Sequence, residues 1–145
     1  MKHDFKEIQI GEMIKTRVGE CDIPISRICN FLKCTEKEVE EMYTKSSIDT
    51  ELILRWSKLL EYDFFRVYSQ HLILYSPASA RDSDSNAKEE TQLPQFRKNI
   101  YTKEVIEFIL ELINSNEKTK YQIIEQYKIP KTTLYKWIAK YKRDF

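Results

Sequence analysis

The residues of this chain whose types and spacing best suit a defined chemistry lie near the C-terminus, between Thr119 and Arg143. Apolar side chains recur there at helical spacing and define one inward stripe: Leu134, Trp137, Ile138 and Tyr141. The opposite face and its edges carry hydroxyl and cationic groups without any carboxylate: Thr132, Tyr135, Lys136, Ala139, Lys140 and Arg143. Such a face suits the DNA major groove, because short polar groups can reach base edges and cations can meet phosphates.

Two kinds of contact with double-stranded DNA are expected from this face. The side chains near its start and centre are predicted to contact bases: Thr132, Thr133, Tyr135 and Lys136. The cations around it, together with two from an upstream basic arm, are predicted to hold phosphates: Arg97, Lys98, Lys131, Lys140, Lys142 and Arg143. A second interpretation stays open, in which the segment is a small helical hairpin that packs on another surface and whose basic charge is incidental.

A short helix before this segment is needed to position it. Thr119 is a good N-cap for that helix, whose inward residues are Ile123, Ile124 and Tyr127. A tight break follows at Lys128-Ile129-Pro130, where proline suits the start of the next helix. Two short amphipathic helices joined by a tight turn, the second of them basic, fit the helix-turn-helix pattern.

Residues 100–142 resemble the helix-turn-helix of the small DNA-binding subunit of insertion-sequence transposases, a homeodomain-like unit of three helices. The likeness is greatest at Thr133-Leu134-Tyr135-Lys136-Trp137, which matches the family's T-L-Y-R/K-W stretch. It implies DNA binding, with a separate catalytic transposase subunit as a possible partner. Two residues depart from the family: Ile124 replaces its usual alanine and Lys128 its usual turn glycine. A non-glycine residue at positive φ costs roughly 1 kcal/mol, so we expect a turn that forms with some strain.

The first half of the chain predicts five short helices. Gly19 is expected to end the first helix, and Pro24 is expected to open the second. Thr35 and Glu38 have the spacing of a capping box for the third helix. The fourth and fifth helices are expected over about residues 51–60 and 64–74.

The order of these five helices resembles a phage-repressor-like helix-turn-helix domain. The residues that carry the resemblance are Ile10-Gly11 to Lys15, Ile28 to Leu32, Cys34 to Val39, and Leu59-Leu60. Lys33 stands where that family usually has glycine. The expected recognition helix, starting at Glu36, is rich in acid, and carboxylates repel phosphates. Direct DNA contact, a structural role and a dimerising role therefore remain open for this domain.

The chain as a whole predicts an all-α protein of two small helix-turn-helix domains. It has two glycines and four prolines, and it lacks a run of alternating β-branched residues that would indicate a strand. Residues 77–98 are predicted to be a flexible linker ending in a basic arm, because small, polar and charged residues cannot bury a core. The predicted domains are therefore residues 1–76, phage-repressor-like, and residues 99–145, homeodomain-like.

Charge is distributed unevenly along the chain. The formal net charge is only +1. Residues 1–80 carry 11 basic and 13 acidic side chains, a balance of −2, whereas residues 96–145 carry 11 and 6, a balance of +5. A near-neutral protein with a basic end favours nucleic-acid contact at that end.

Catalytic and cofactor chemistry is not expected. With only Gly11 and Gly19, the chain cannot form a phosphate-binding glycine loop. Its three cysteines lack zinc-binding spacing, so neither a metal nor a cofactor is predicted. A transposase catalytic domain needs a much larger α/β scaffold, and a non-enzymatic protein is therefore predicted. The odd cysteine count, and the lack of an apolar leader or of a membrane-length apolar run, predict a cytoplasmic, nucleoid-associated protein.

These patterns predict a sequence-specific DNA-binding protein, either a transposase-type DNA-binding subunit or a transcriptional regulator. The alternative is a protein-interaction or dimerisation module with only non-specific nucleic-acid affinity. A homodimer through residues 64–75 is also expected. Their sequence, FFRVYSQHLILY, holds more apolar residues than the single stripe that a small core requires.

Overall fold

Helical periodicity and capping residues account for the architecture of the chain. The computed structural model describes residues 5–76, 92–94 and 100–141. In these ranges it contains helices and no strand, which confirms the predicted all-α fold. The helices are α1 (Ile10–Cys21), α2 (Ile25–Leu32), α3 (Glu36–Tyr43), α4 (Thr50–Leu60), α5 (Phe65–Tyr75), α6 (Lys103–Asn114), α7 (Lys120–Tyr127) and α8 (Lys131–Tyr141).

The chain divides into two compact units, Met1–Ser69 and Gln70–Phe145. The boundary falls within α5, whereas the sequence placed the end of the first domain at residue 76. Most of the predicted linker lies outside the described residues, as do Arg97 and Lys98 of the predicted basic arm.

Two helix starts in the first unit, those of α3 and α4, are capped by side chains. The predicted capping box of α3 is confirmed: the Glu38 N–H donates to the Thr35 hydroxyl oxygen at 3.3 Å, and the Thr35 N–H donates to the Glu38 carboxylate at 2.7 Å. The backbone and hydroxyl bonds from Thr35 lower the pKa of the Glu38 carboxyl, because they stabilise its charged form. Asp49 caps α4 in a similar way, accepting from the Glu51 N–H at 2.8 Å.

Helix ends in this unit differ from the expectation at one point. Gly19 was expected to end α1, but it lies inside that helix, which continues to Cys21. The left-handed residue that stops α1 is Asp22, with φ 50°. Aspartate tolerates this conformation better than most residues, so the helix does not need glycine at its end. Lys33, at the position where the resembling family has glycine, is indeed left-handed with φ 54°.

The core of the first unit is built where α1 packs against α3 and α4, and α2 against α3 and α4. Its largest fully buried side chains include Trp56, Phe64 and Ile14. Cys29 and Cys34 pack at the edge of this core as half-buried residues. Burial raises the pKa of the Cys34 thiol, as expected for a cysteine at the edge of an apolar core.

Gly11 marks the closest approach between α1 and the end of α3. Its N–H donates to the backbone carbonyl oxygen of Lys45 at 3.0 Å. A Cβ atom at this position would lie 2.6 Å from the carbonyl oxygen of Tyr43 and 2.7 Å from that of Lys45. Glycine is therefore required here by the proximity of the backbone of α3 rather than by its own dihedral angles.

The second unit contains the end of α5 together with α6, α7 and α8. Its buried apolar side chains come from all four helices and from the turn before α8: Leu74, Val105, Ile109, Leu110, Leu112, Ile123, Tyr127, Ile129, Leu134 and Trp137. Helix α6 is capped by Thr102, whose hydroxyl accepts from the Val105 N–H at 3.4 Å. The unit is therefore larger than the three helices expected from the sequence.

The apolar surface of α5, on which the expectation of a homodimer through residues 64–75 rests, is only partly exposed. Phe64, just before the helix, is fully buried, and Leu74 is 2% exposed. Leu72 remains 59% exposed and Tyr75 is 36% exposed. Some apolar side chains of residues 64–75 are therefore buried within the chain's own units. Self-association through this segment stays a prediction.

The left-handed end of α2 provides a stability prediction. Replacing Lys33 by glycine is expected to stabilise the first unit by about 1 kcal/mol, because the steric cost of a Cβ at positive φ is removed. Lys15→Gly, at an exposed interior position of α1, is the matched control and is expected to destabilise by a similar amount. Urea unfolding of the full chain measures both. Destabilisation by Lys33→Gly would contradict the interpretation of this turn.

Candidate nucleic-acid interface

Helix α8 is anchored by the apolar stripe that the sequence predicted. Leu134 is fully buried and Trp137 is 9% exposed, while Ile138 and Tyr141 are half-buried. The ring of Tyr101, just before α6, meets Trp137 edge to face, with ring centroids 4.8 Å apart and planes at 79°. Burial raises the pKa of the Tyr101 phenol. These contacts fix which side of α8 faces solvent.

The connection between α7 and α8 is short and is anchored in the core. Thr119 and Gln122 form a capping box at the start of α7, with the Thr119 N–H donating to the Gln122 side chain at 2.8 Å and the Gln122 N–H donating to the Thr119 hydroxyl at 3.2 Å. Lys128 ends the helix in the left-handed conformation with φ 52°, as its place at the usual glycine position predicted. Ile129 is 1% exposed and anchors the turn in the core.

The start of α8 agrees with the expected role of Pro130. The Leu134 N–H donates to the carbonyl oxygen of Pro130 at 3.0 Å, so this carbonyl accepts the first helical hydrogen bond. Two helices of eight and eleven residues are thus joined by three residues. The tight turn holds α8 in one orientation relative to α7 within the second unit.

The solvent-facing side of α8 contains five of the ten predicted DNA-binding residues. The exposed ones are Lys131, Thr132, Tyr135, Lys136 and Lys140, together with the small Ala139. Thr133 is half-buried and lies at the edge of this face. Lys142 and Arg143 lie outside the described residues, as do Arg97 and Lys98. The five exposed residues are called the α8 face below.

Tyr135 forms the aromatic part of the α8 face, and it is flanked by two lysines from different helices. The ring is 46% exposed. The Lys120 Nζ lies 5.3 Å from its centroid and the Lys131 Nζ lies 5.7 Å from it. Cation–π contacts at exposed sites contribute about 0.5–1 kcal/mol each. They restrain the phenol ring and place two positive charges beside it.

Lys120 was not predicted as a site residue, although the structure brings it to the α8 face. It occupies the first position of α7, directly after the Thr119 cap, and the first turn of that helix contains no acid. A cation at a helix N-terminus opposes the helix dipole, which is a sequence signal that could have identified it. Tyr121, beside it, is 72% exposed.

The electrostatic balance around the α8 face is strongly positive. Residues 118–141 contain six lysines and one glutamate, a net charge of +5, and α8 itself contains no acid. By contrast, the exposed side of α3 in the first unit carries Glu36, Glu40 and Glu41. A surface of one sign raises the local concentration of ligands with the opposite charge. The α8 face therefore suits a polyanion, and α3 does not.

Neither a metal site nor a membrane span is found in the part of the chain that the structure describes. There, no group of three or more His, Cys, Asp or Glu side chains is placed to hold a metal ion. Nor does any described helix combine the length and the apolar character needed to cross a membrane. What the arrangement offers is non-covalent binding through cations, hydroxyl groups and an aromatic ring.

The fold and the surface define an all-α protein of two units with one strongly basic helical face. No family model, no curated protein and no solved structure matches this chain. Its function is therefore argued from the residues of the α8 face and from their surroundings.

Proposed function

We propose that this chain is a sequence-specific double-stranded DNA-binding protein that uses α7 and α8 as a helix-turn-helix. The observation that carries the proposal is the α8 face, an acid-free helical surface with exposed hydroxyl, phenol and ammonium groups over a rigidly packed apolar stripe. An α-helix of this kind fits the major groove of B-DNA. The role that fits best is non-catalytic, as a transposase-type DNA-binding subunit or a transcriptional regulator.

In this proposal some residues of the α8 face contact bases and others contact phosphates. Thr132, Tyr135 and Lys136 lie near the start and centre of the face and contact base edges, with Thr133 at its margin. Lys131 and Lys140 hold phosphates, and Lys120 joins them from α7. Each phosphate contact makes binding weaker as salt rises, with a slope of about 0.9 per contact in a double-logarithmic plot.

The residues outside the described ranges belong to the same proposal. Arg97 and Lys98 add phosphate contacts from the segment before α6, and Lys142 and Arg143 add them beyond the end of α8. In this role the protein is nucleoid-associated. As a transposase-type subunit it has a separate catalytic transposase as its partner.

A second role, in protein contact, is favoured for the first unit by the acid-rich exposed side of α3. Carboxylates repel phosphates, so this helix is poorly suited to DNA although the unit resembles a DNA-binding domain. The exposed Leu72 and Tyr75 of α5 support self-association as one form of such contact. A homodimer presents two α8 faces to a repeated or palindromic site.

Selection of sites from a random duplex pool tests the proposal. Wild-type protein is expected to enrich one motif, and Lys136→Ala is expected to lose preference at one base position by about 1–3 kcal/mol. Lys103→Ala is the matched control, because that exposed lysine lies on α6 and pairs with Glu107 at 3.6 Å. It should leave the motif unchanged. Identical motifs from Lys136→Ala and wild type would remove Lys136 from base recognition, and no motif at all would favour the interaction-module alternative.

A further inference from the structure

Gln70 stands out in the second unit as a buried polar side chain in an otherwise apolar setting. It lies in α5 and is 3% exposed, the one buried polar or charged residue among those that the structure describes. Its Nε2 donates to the carbonyl oxygen of Ile100 at 3.1 Å. Its Oε1 accepts from the Thr102 N–H at 3.2 Å and from the Thr102 hydroxyl at 3.4 Å. Burial of an amide is costly unless its groups are hydrogen-bonded, and here both ends are.

The two partners of Gln70 are the residues on either side of Tyr101. Ile100 is held through its carbonyl oxygen, and Thr102 through its N–H and its hydroxyl. Thr102 is also the N-cap of α6. The backbone that carries the Tyr101 side chain is therefore fixed on both sides by one amide, which contacts it from 30 and 32 residues away in the chain.

Tyr101 in turn contacts the anchor of the α8 face. Its ring edge meets Trp137 at a centroid distance of 4.8 Å, and Trp137 is the buried residue one position after Lys136 in α8. A second contact supports the same end of α5, where the rings of Tyr75 and Tyr127 meet edge to face at 6.5 Å. The described contacts thus run from α5 through Tyr101 to α8.

We infer that Gln70 is a positioning residue for DNA recognition: by holding Ile100 and Thr102 it sets Tyr101 against Trp137 and so fixes the orientation of the α8 face. The inference rests on the proposed function for its consequence in DNA binding, although the contact with Trp137 can be tested without DNA. A purely local stabilising role would lower the folded fraction of the unit without altering the environment of Trp137 in molecules that remain folded.

Gln70→Glu separates the two roles, because its hydrogen-bonding capacity changes with pH. A protonated carboxyl can donate to Ile100 and accept from Thr102 as the amide does, whereas a carboxylate has no donor for Ile100. Burial raises the pKa of a carboxyl group. The variant should therefore keep the hydrogen bonds to Ile100 and Thr102 at about pH 5, as wild type does. At about pH 8 it should lose the hydrogen bond to Ile100.

The experiment uses the full chain labelled with 5-fluorotryptophan, which gives two fluorine resonances, since the chain has two tryptophans. Trp56, in the core of the first unit, is the internal reference. In Gln70→Glu at high pH, the folded-state resonance of Trp137 is expected to shift while that of Trp56 stays in place. At low pH both should return to their wild-type positions. Gln70→Met, which lacks both hydrogen-bonding groups, should shift Trp137 at either pH.

Duplex affinity is measured on the same samples. For Gln70→Glu it is expected to fall about fivefold below wild type at high pH, the effect of roughly one lost hydrogen bond, and to recover at low pH. Gln126→Glu is the matched control, because it makes the same chemical change at an exposed position of α7. It reports the effect of added negative charge, because a carboxylate can still accept from the Lys118 Nζ as the Gln126 amide oxygen does, and it should show no shift of Trp137.

The fluorine resonance of Trp137 and the duplex affinity test different parts of the inference. An unshifted Trp137 resonance in both Gln70 variants would overturn the positioning role, whatever the DNA result. Equal affinity losses in Gln70→Glu and Gln126→Glu would also overturn it, since added charge would then explain the loss. A wild-type chain that binds no duplex would overturn the proposed function, and the resonance of Trp137 would still decide whether Gln70 positions α8.

Discussion

Replacing Lys131, Lys136 and Lys140 together by glutamate is expected to abolish duplex binding at physiological salt. The change takes the net charge of residues 118–141 from +5 to −1, since three positive charges become three negative ones. All three side chains are exposed, so the substitutions leave the buried stripe of α8 intact. Loss of three phosphate contacts and the added repulsion should weaken binding by at least about a thousandfold.

The measurement is a titration of duplex affinity against salt, with helix content followed in parallel. The triple substitution Lys15, Lys37 and Lys45 to glutamate is the matched control, because it makes the same change of charge at exposed positions of the first unit. It is expected to weaken binding by less than about tenfold, through the change in net charge alone. Equal losses in the two triple variants would mean that the α8 face is not the binding surface.

Gly11→Ala should give the largest loss of stability of any single methyl group added to the first unit. The new Cβ would lie 2.6 Å and 2.7 Å from the backbone oxygens of Tyr43 and Lys45, well inside van der Waals contact. Backbone atoms at the end of α3 cannot rotate away as a side chain can, so α1 must move and the bond from the Gly11 N–H to Lys45 is strained. The expected cost is about 2–3 kcal/mol.

Gly19→Ala provides the control within the same helix. Gly19 is an exposed residue of α1, and a Cβ there meets no atom within 4 Å. Because alanine favours helix more than glycine does, this substitution should stabilise the unit by about 1 kcal/mol. Urea unfolding followed by Trp56 fluorescence, in a Trp137→Phe background, compares the two. Changes of the same sign would contradict the close approach of α1 to α3.

Local signals in the sequence were sufficient for several helix starts. Thr35 and Thr119 were each predicted as N-caps, and each accepts the expected backbone hydrogen bond. A cap is a contact between residues two or three apart, so it leaves a readable pattern. The end of α1 was missed because Asp22 adopts the left-handed conformation without the glycine that usually marks it.

Some features of the candidate site could likewise be predicted from local sequence patterns, whereas others depend on long-range contacts. Helical periodicity alone placed Tyr135 and Lys136 on the solvent side, and they are exposed. It could not place Lys120 beside Tyr135, because that proximity depends on the angle between two helices. Nothing in the sequence around Gln70 marks its role, because its partners lie 30 and 32 residues away. No periodicity encodes such a pairing.

The hydrogen bonds from Gln70 to Ile100 and Thr102 also have a consequence for the entropy of the chain. Gln70, Ile100 and Thr102 all belong to the second unit, so in polymer terms their hydrogen bonds close a loop between residues 30 and 32 positions apart in the chain. The entropy of a closed loop depends weakly on its length, at about 0.6 kcal/mol for each doubling. Lengthening the chain between Gln70 and Ile100 is therefore expected to change the stability of the second unit only slightly.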